Sequence, residues 1–256
     1  MKKLSVALAV VLALASCKKD PNIHHSPVGG GGDTPVSGPI TPSRDTSFYG
    51  FLTFSKTVFV PQSFLSFIAI SYSASAEFVS TPQSGHSTLT NLEAVNSVEI
   101  DNDPLAFNAT SINYQTTSSP MDTTCHWQVV GLNNIPSFNY TSTKGFLGNT
   151  NFSSYLIAIN DTIYRSQPLT VQFGSINTKG LHVIVSDGVH TVSHSVAAGI
   201  TSYTFPVGAL APLANSANSD GYILITMEND DIESVSGKPM KFAFVSNFKR
   251  TIYVRP

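Results

Sequence analysis

The chain has 256 residues, of which 12% are charged and 41% are hydrophobic, and its formal net charge is -2. A charged fraction about half the usual ~25% argues against coiled coils, helical bundles and charge-driven disorder. The small negative net charge gives no basic surface that would attract nucleic acid, which we exclude as a partner. A composition rich in Ser, Thr, Gly and Pro favours short β-strands joined by turns.

The first residues have the pattern of an export signal. Met1, Lys2 and Lys3 form a short basic start, and residues 4–15 are an almost uninterrupted apolar run. This run is too short for a membrane-spanning helix, which needs about 20 apolar residues. Residues 1–16 are therefore predicted to be a signal peptide that is removed and takes no part in the fold.

The end of this segment, Leu14-Ala15-Ser16-Cys17, resembles the lipobox of bacterial lipoproteins. The resemblance implies that Cys17 is diacylated on its sulfur, that the signal is cut before it, and that the new amino terminus is acylated. Several acyl chains such as palmitate exceed the single-chain threshold for stable membrane anchoring. The membrane is thus the first expected partner, through a lipid anchor on Cys17.

The residues after the lipidated cysteine bear on sorting. In many lipoproteins of this family an Asp next to the Cys retains the protein in the inner membrane, whereas this chain has Lys18-Lys19-Asp20. The departure from that pattern implies the outer membrane. It leaves open whether the protein faces the periplasm or the cell surface.

Residues 17–46 predict a flexible tether. They contain four consecutive glycines at 29–32 and prolines at 21, 27, 35, 39 and 42, and they show no apolar periodicity. A segment of this length and composition spans about 30 Å on average, enough to hold a domain clear of the lipid headgroups. His24 and His25 lie inside it as solvated residues.

From residue 47 onward the chain alternates short β-branched and aromatic runs with turn residues. No window sustains a helical apolar period for more than a turn or two. The predicted strands are 47–53, 57–60, 64–72, 77–79, 97–100, 111–114, 126–130, 138–140, 155–159, 162–164, 169–173, 181–185, 190–196, 202–206, 222–227, 241–245 and 250–254.

This pattern predicts an all-β fold. A folded part of about 210 residues is twice the ~100 residues of an immunoglobulin-like sandwich, so we expect two consecutive antiparallel β-sandwich domains, at 47–145 and 146–256. The alternative is one larger jelly-roll sandwich.

Two hairpins are predicted in the second half. Asp187-Gly188 between two β-rich runs is the favoured signal for a two-residue type I′ turn, and it would pair Val185 with His190 and Val183 with Val192. The second hairpin joins 222–227 to 241–245 through an acidic loop at 228–239.

The second cysteine and the single tryptophan are expected to be structural. With Cys17 acylated, Cys125 is the only remaining thiol, so no intramolecular disulfide is expected. Cys125 is predicted to be a half-buried strand residue beside Trp127, and Trp127 to be a core anchor.

No catalytic motif is present: the chain lacks G-x-S-x-G, G-x-G-x-x-G, the P-loop pattern and H-E-x-x-H. We therefore expect no enzyme activity, catalytic residue or cofactor. His190 and His194 share a predicted strand face and His182 points to the other, which leaves too few convergent ligands for zinc.

Carboxylates cluster at Asp101-Asn102-Asp103 and at Glu228-Asn229-Asp230-Asp231, with Glu233 beyond. Neither cluster matches a calcium loop, and such residues are common in turns, so calcium at 228–233 stays open. The competing enzyme class, an anchored hydrolase, would need two of these acids about 5–10 Å apart.

Aromatic residues open the folded part and offer a different kind of site. Phe48, Tyr49, Phe51 and Phe54 are followed by 64–67 and Tyr72, and strand alternation places some of them on an outward face, where aromatics bind sugars. The expected function is that of a non-catalytic, outer-membrane-anchored lipoprotein with a binding or structural role in the envelope. Its alternatives are a glycan-binding accessory and an adhesin subunit that donates its last strand, 250–254.

Overall fold

The computed structural model describes residues 48–60, 69–82, 91–116, 124–142, 144–147, 161–173, 177, 179–216 and 220–256. Cys17, the signal, the tether and the predicted strand 155–159 lie outside these residues. All regular structure in the described part is β, which confirms the predicted class. The strands are β1 (Gly50–Val60), β2 (Ala69–Phe78), β3 (Ser97–Ile100), β4 (Asp103–Pro104), β5 (Ala106–Asn108), β6 (Asn113–Thr116), β7 (Cys125–Val130), β8 (Phe138–Ser142), β9 (Thr162–Tyr164), β10 (Leu169–Gln172), β11 (Leu181–Ser186), β12 (Thr191–Val196), β13 (Ser202–Phe205), β14 (Gly221–Val235) and β15 (Lys238–Arg255).

The strands form one large sheet and two small ones. The large sheet has nine strands in the order β12-β11-β14-β15-β1-β2-β6-β5, with β9 paired to the end of β15. A four-stranded sheet has the order β4-β3-β7-β8, and β10 and β13 form a two-stranded sheet. Both small sheets contribute apolar side chains to cores on one face of the large sheet, which gives a β-sandwich-like architecture.

The hydrophobic interior is divided into two cores. The first, which we call the Trp127 core, packs the four-stranded sheet against β1, β2 and the first half of β15, and its large buried side chains include Trp127, Phe54, Phe78, Phe242 and Phe244. The second, the Phe248 core, packs the two-stranded sheet against β11, β14 and the second half of β15. Its members include Val183, Ile225, Phe205, Phe248 and Ile252.

Strand alternation lets the same strands serve both cores. On β1, Leu52 and Phe54 enter the Trp127 core, while Val58 enters the Phe248 core from the same face. On β1 and β15 the position between the cores is polar, because Lys56 pairs there with the buried Ser246 in the parallel ladder. Two apolar cores are thus separated along continuous strands rather than by a linker.

The acidic segment predicted as a loop belongs to a long hairpin. β14 has 15 residues and β15 has 18, and they pair without interruption from Gly221 opposite Ile252 to Val235 opposite Lys238. The turn is Ser236-Gly237, whose φ angles of 51° and 77° are those of a type I′ turn. The prediction of a loop at 228–239 is wrong because regular alternation continues through the charged residues.

The other predicted hairpin exists with a different register. Ser186 pairs with Thr191, Val185 with Val192 and Val183 with His194, so four residues rather than two form the connection. The Asp187 carboxylate explains the difference. It accepts hydrogen bonds from the backbone N–H groups of Val189 (2.7 Å) and His190 (2.6 Å) and from that of Ala214, and these bonds hold His190 outside the strand.

The first and last long strands are neighbours. β1 and β15 pair in parallel over the whole length of β1, from Gly50 beside Met240 to Val60 beside Arg250. Strands from both sides of the predicted boundary at 145/146 therefore share one sheet. The division into domains 47–145 and 146–256 stays a prediction, to which the structure adds two cores joined by common strands.

Because both cores include β15, we expect damage to one core to weaken the other. Phe248→Ala should destabilise the protein by about 3–5 kcal/mol. It should also lower the denaturation midpoint of Trp127 fluorescence, although Trp127 lies in the other core. Phe242→Ala should shift that midpoint similarly, and Val189→Ala, at an 82% exposed position, should not. Two separate unfolding transitions in the Phe248→Ala protein would show that the cores are independent.

A second prediction concerns the Asp187 loop. Burial alone would raise the pKa of Asp187, but hydrogen bonds from the backbone N–H groups of His190, Ala214 and Val189 outweigh it and lower the pKa to about 2. Asp187→Asn should therefore cost stability at neutral pH, by about 1–3 kcal/mol.

The difference between wild type and Asp187→Asn should shrink as the pH falls from about 5 to about 2, because a lowered pKa adds stability only where the carboxyl is ionised. Chemical denaturation at several pH values measures it. Asp220→Asn, at an exposed neighbouring position, is the control. A pH-independent difference would contradict the assignment.

Candidate binding face

The large sheet has one face turned away from the cores, and we call it the outer face. On β1 the even-numbered residues from Leu52 to Val60, except Lys56, are buried in the cores, so the odd-numbered residues point outward. A sheet with one packed face and one solvated face shows this alternation, and β1 shows it although its pairing with β15 is parallel. The outward residues of β1 are Phe51, Thr53, Ser55, Thr57 and Phe59.

The middle of the outer face carries small side chains, and we call this part the floor. The backbone register places Ala243, Thr53 and Ser75 in one row across β15, β1 and β2. The next row holds Val245, Ser55 and Ser73. None of these side chains is charged, and Ala243 and Val245 on the central strand β15 are only 7% and 9% exposed, so the hydroxyl residues of β1 and β2 form the more accessible part of the floor.

A third row continues the floor with amide and hydroxyl groups. Thr226, Asn247, Thr57 and Ser71 lie side by side on four neighbouring strands. Within the row the Thr226 hydroxyl donates to Oδ1 of Asn247 at 2.9 Å. These groups both donate and accept hydrogen bonds, so the row presents a neutral, adaptable polar surface.

At one end of the floor an aromatic ring adjoins a charge network. Phe51 lies beside Lys241, whose ammonium contacts Glu228 at 2.6 Å and Asp230 at 3.6 Å. Burial alone would lower the pKa of Lys241, but its hydrogen bond to Glu228 and the two negative charges raise it. The network fixes Lys241 as a cation and pairs it with two of the four carboxylates on β14.

At the other end a second ring adjoins a second lysine. Phe59 is 41% exposed and pairs with Lys249 across the β1–β15 ladder. The Lys249 ammonium lies over the ring of Tyr222, 4.3 Å from its centroid, a cation–π contact. Burial lowers the pKa of Lys249.

The aromatic residues predicted to form an outward row lie in different parts of the structure. Phe51 does lie on the outer face, whereas Phe48 and Phe54 are buried and Tyr49 and Tyr72 pack against the Trp127 core. Residues 64–67 lie outside the described part of the chain.

The acidic cluster on β14 is split by alternation. Glu228 and Asp230 are on the outer face, and Asp231 is on the inner face, where its Oδ2 accepts a hydrogen bond from Tyr140 at 2.7 Å. The other cluster forms a turn: Asp101 and Asn102 have φ angles of 48° and 69° and connect β3 to β4. The two clusters thus lie on different sheets.

The histidines do not converge either. His190 Nδ1 contacts Asp187 Oδ2 at 3.0 Å, the His194 ring stacks on Tyr203 at 3.7 Å between centroids, and His182 Nδ1 contacts the Ser195 hydroxyl at 3.0 Å. Among the described residues, no three His, Cys, Asp or Glu side chains form a group that could hold a metal ion.

Trp127 and Cys125 are core residues. Trp127 is 1% exposed, which confirms its predicted role, and Cys125 is fully buried rather than half-buried. Burial, with a smaller contribution from the negative charge of Asp101, raises the pKa of the Cys125 thiol to about 12. A neutral, enclosed thiol is a poor nucleophile.

Sequence reasoning missed the floor, although its signal is present. Hydroxyl residues recur at every second position at 53, 55 and 57 and again at 71, 73 and 75, the spacing of one face of a strand. The two runs become one surface only when β1 pairs with β2.

No family model, no curated protein and no solved structure matches the chain. In the described part of the chain, no helix has the length and hydropathy needed to span a membrane.

Burial of Cys125 leads to a chemical prediction. In a Cys17→Ser protein, where Cys125 is the one remaining thiol, an aromatic disulfide reagent at about pH 8 should leave the folded protein unlabelled and react fully after denaturation. The absorbance of the released thiolate follows the reaction. Fast, stoichiometric labelling of the folded protein would refute the enclosed position of Cys125.

Proposed function

We propose that this protein is a lipoprotein of the bacterial outer membrane, anchored through acylated Cys17, whose β-sandwich-like region is non-catalytic and binds an envelope or cell-surface partner. The anchor is supported by Leu14-Ala15-Ser16-Cys17 and by the apolar run before it. The single observation that carries the binding role is the floor of the outer face, an uncharged surface of mainly hydroxyl side chains with the half-buried Phe51 at one end and the exposed Phe59 at the other.

The place where the tether joins the fold supports this arrangement. The Tyr49 backbone N–H donates to the Pro239 carbonyl at 2.9 Å, so the chain enters β1 beside the turn of the β14–β15 hairpin. A tether of about 30 Å attached at that end leaves the length of the outer face clear of the lipid.

We also propose that each core corresponds to one immunoglobulin-like β-sandwich, with a jelly-roll arrangement as the alternative. The proposal is supported by the two separate hydrophobic clusters, each of which involves its own small sheet. It requires the two sandwiches to share β1, β14 and β15 instead of being joined by a linker.

The clustered carboxylates already have partners within the protein, which supports the non-catalytic part of the proposal. Glu228 and Asp230 are held by Lys241, and Asp231 accepts from Tyr140. A hydrolase would need two acids that one water or one leaving group can reach together. Asp231 is turned to the face opposite Glu228 and Asp230, and the latter two, which share the outer face, are both engaged by the Lys241 ammonium.

Donation of the last strand to a neighbouring subunit has lost its main support. Residues 250–254 pair with β14 through Arg250 and Ile252, and Tyr253 and Val254 pair with β9. A strand already paired within its own sheet would have to leave it before it could complete another molecule.

Metabolic labelling with an alkyne fatty acid tests the anchor. Wild type should incorporate the label and sediment with outer membranes on a density gradient, and Cys17→Ala should lose both properties because no thiol remains to be acylated at that position. Cys125→Ala is the matched control and should keep the label. If the Cys17→Ala protein is still labelled and membrane-bound, the proposed anchor is wrong. If wild type sediments with inner membranes, the outer-membrane assignment is wrong.

A further inference from the structure

We propose that the floor of the outer face binds a neutral polysaccharide, whose chain lies along β1 from Phe51 to Phe59. This inference rests on the proposed binding role and adds to it the chemical class of the ligand. It is argued from the chemistry of the floor, the distance between its two rings and the charges at its edges.

The chemistry of the floor matches a polyhydroxy ligand. Thr53, Ser55 and Thr57 on β1 and Ser71 and Ser73 on β2 present hydroxyl groups, and Asn247 adds an amide. Each hydroxyl is a donor and an acceptor at once, as each hydroxyl of a sugar is. Such a surface can exchange its bound water for sugar hydroxyls in many registers, which suits a repeating polymer better than a single small molecule.

The geometry is that of an elongated, shallow site. Phe51 and Phe59 are eight positions apart on the same face of one strand, which corresponds to about 26 Å at 3.3 Å per residue. The first two rows of the floor are three strands wide, about 10 Å between the outer backbones, and the third row extends one strand further to β14. Because the side chains of the floor are small and the residues at both ends are large, an extended chain of several sugar rings fits along it. A sugar ring can lie against the exposed Phe59 at one end, while at the other end the half-buried Phe51, which packs edge-on against Phe48, offers only part of its ring.

The charges at the edges favour a neutral ligand over an anionic one. Glu228 and Asp230 border one side of the floor, and both contact Lys241, so this cation is already neutralised by carboxylates. Lys249 is held over Tyr222 at the far end. An anionic polymer would have to pass beside Glu228 and Asp230, and the formal net charge of -2 adds no attraction.

A protein partner fits the floor less well. Interface centres are rich in aromatic and large apolar side chains and poor in serine. The floor has the reverse composition, with its rings only at the ends.

Affinity electrophoresis through gels that contain amylose, xyloglucan, mannan or laminarin, with polygalacturonate as the anionic comparison, tests the inference on the unacylated protein. At least one neutral polysaccharide should retard wild type. Phe59→Ala should weaken that retardation about tenfold, because it removes an exposed ring at one end. Ser73→Lys should abolish it by placing a long charged side chain on the floor.

Matched controls separate the floor from the rest of the surface. Tyr164→Ala removes a ring that is 47% exposed on β9, and Gln128→Lys adds a lysine to an exposed position of the four-stranded sheet. Both should bind as wild type does. Trp127 fluorescence and the melting temperature of each variant show that it is folded, and because Ser73 is exposed, Ser73→Lys keeps the test decisive even if Phe59→Ala is unstable.

The result that overturns the inference is retardation by none of the neutral polysaccharides, by polygalacturonate alone, or to the same extent in Ser73→Lys. A pull-down on purified cell envelopes then tells the two proposals apart. If envelopes retain wild type but not Ser73→Lys while no polysaccharide does, the outer face has a different partner and only the ligand class is wrong. If envelopes retain neither protein, the binding role fails as well.

Discussion

The structure depends on one strand. β15 has 18 residues and pairs with β14 on one side and with β1 on the other, and its alternation assigns every residue either to the cores or to the outer face. Phe242 and Phe248 enter different cores from the same face, while Ala243 and Val245 form part of the floor on the opposite face. A slip of one residue in this strand would exchange the core and the surface, so both ladders have to be in register for either face to exist.

Buried polar groups reinforce that register. Arg250 points into the interior with its side chain 5% exposed, and its guanidinium contacts Asp161 at 2.5 Å. A charge that is buried with a partner contributes little net stability, but it is costly to move away from that partner. The ion pair with Asp161 thus favours the alignment of β15 that brings Arg250 to this position.

The sequence was sufficient for local structure and insufficient for long-range pairing. Strands at 97–100 and 162–164 have the predicted bounds, and Trp127 is in a core, because β-branched runs and aromatic burial are local signals. The parallel β1–β15 pair joins residues about 190 positions apart, and no pattern within either strand indicates its neighbour. The Asp187 loop was mispredicted for a related reason, since one of its hydrogen bonds comes from distant Ala214.

The residues of the candidate site could also be predicted locally, but not their assembly into one surface. The hydroxyl residues of the floor can be seen in the sequence as every-second-residue runs, and the aromatic Phe51 was recognised as a possible outward ring. Their union into one face could not be predicted, because it requires the order of strands in the sheet. The sequence shows four carboxylates close together at 228–233, but which of them share a face depends on strand alternation, which turns Asp231 away from Glu228 and Asp230.

The parallel pairing of β1 with β15 also determines how the protein responds to force. The chain enters β1 beside Met240 and leaves β15 at Arg255, at the opposite end of the ladder. A pull that separates residue 48 from residue 256 therefore slides the two strands past each other in shear and loads all their hydrogen bonds at once. Strands that are peeled apart break one bond after another, whereas strands in shear must break together, and the rate of forced unfolding depends on that barrier. A protein built in this way resists being drawn out by its two ends.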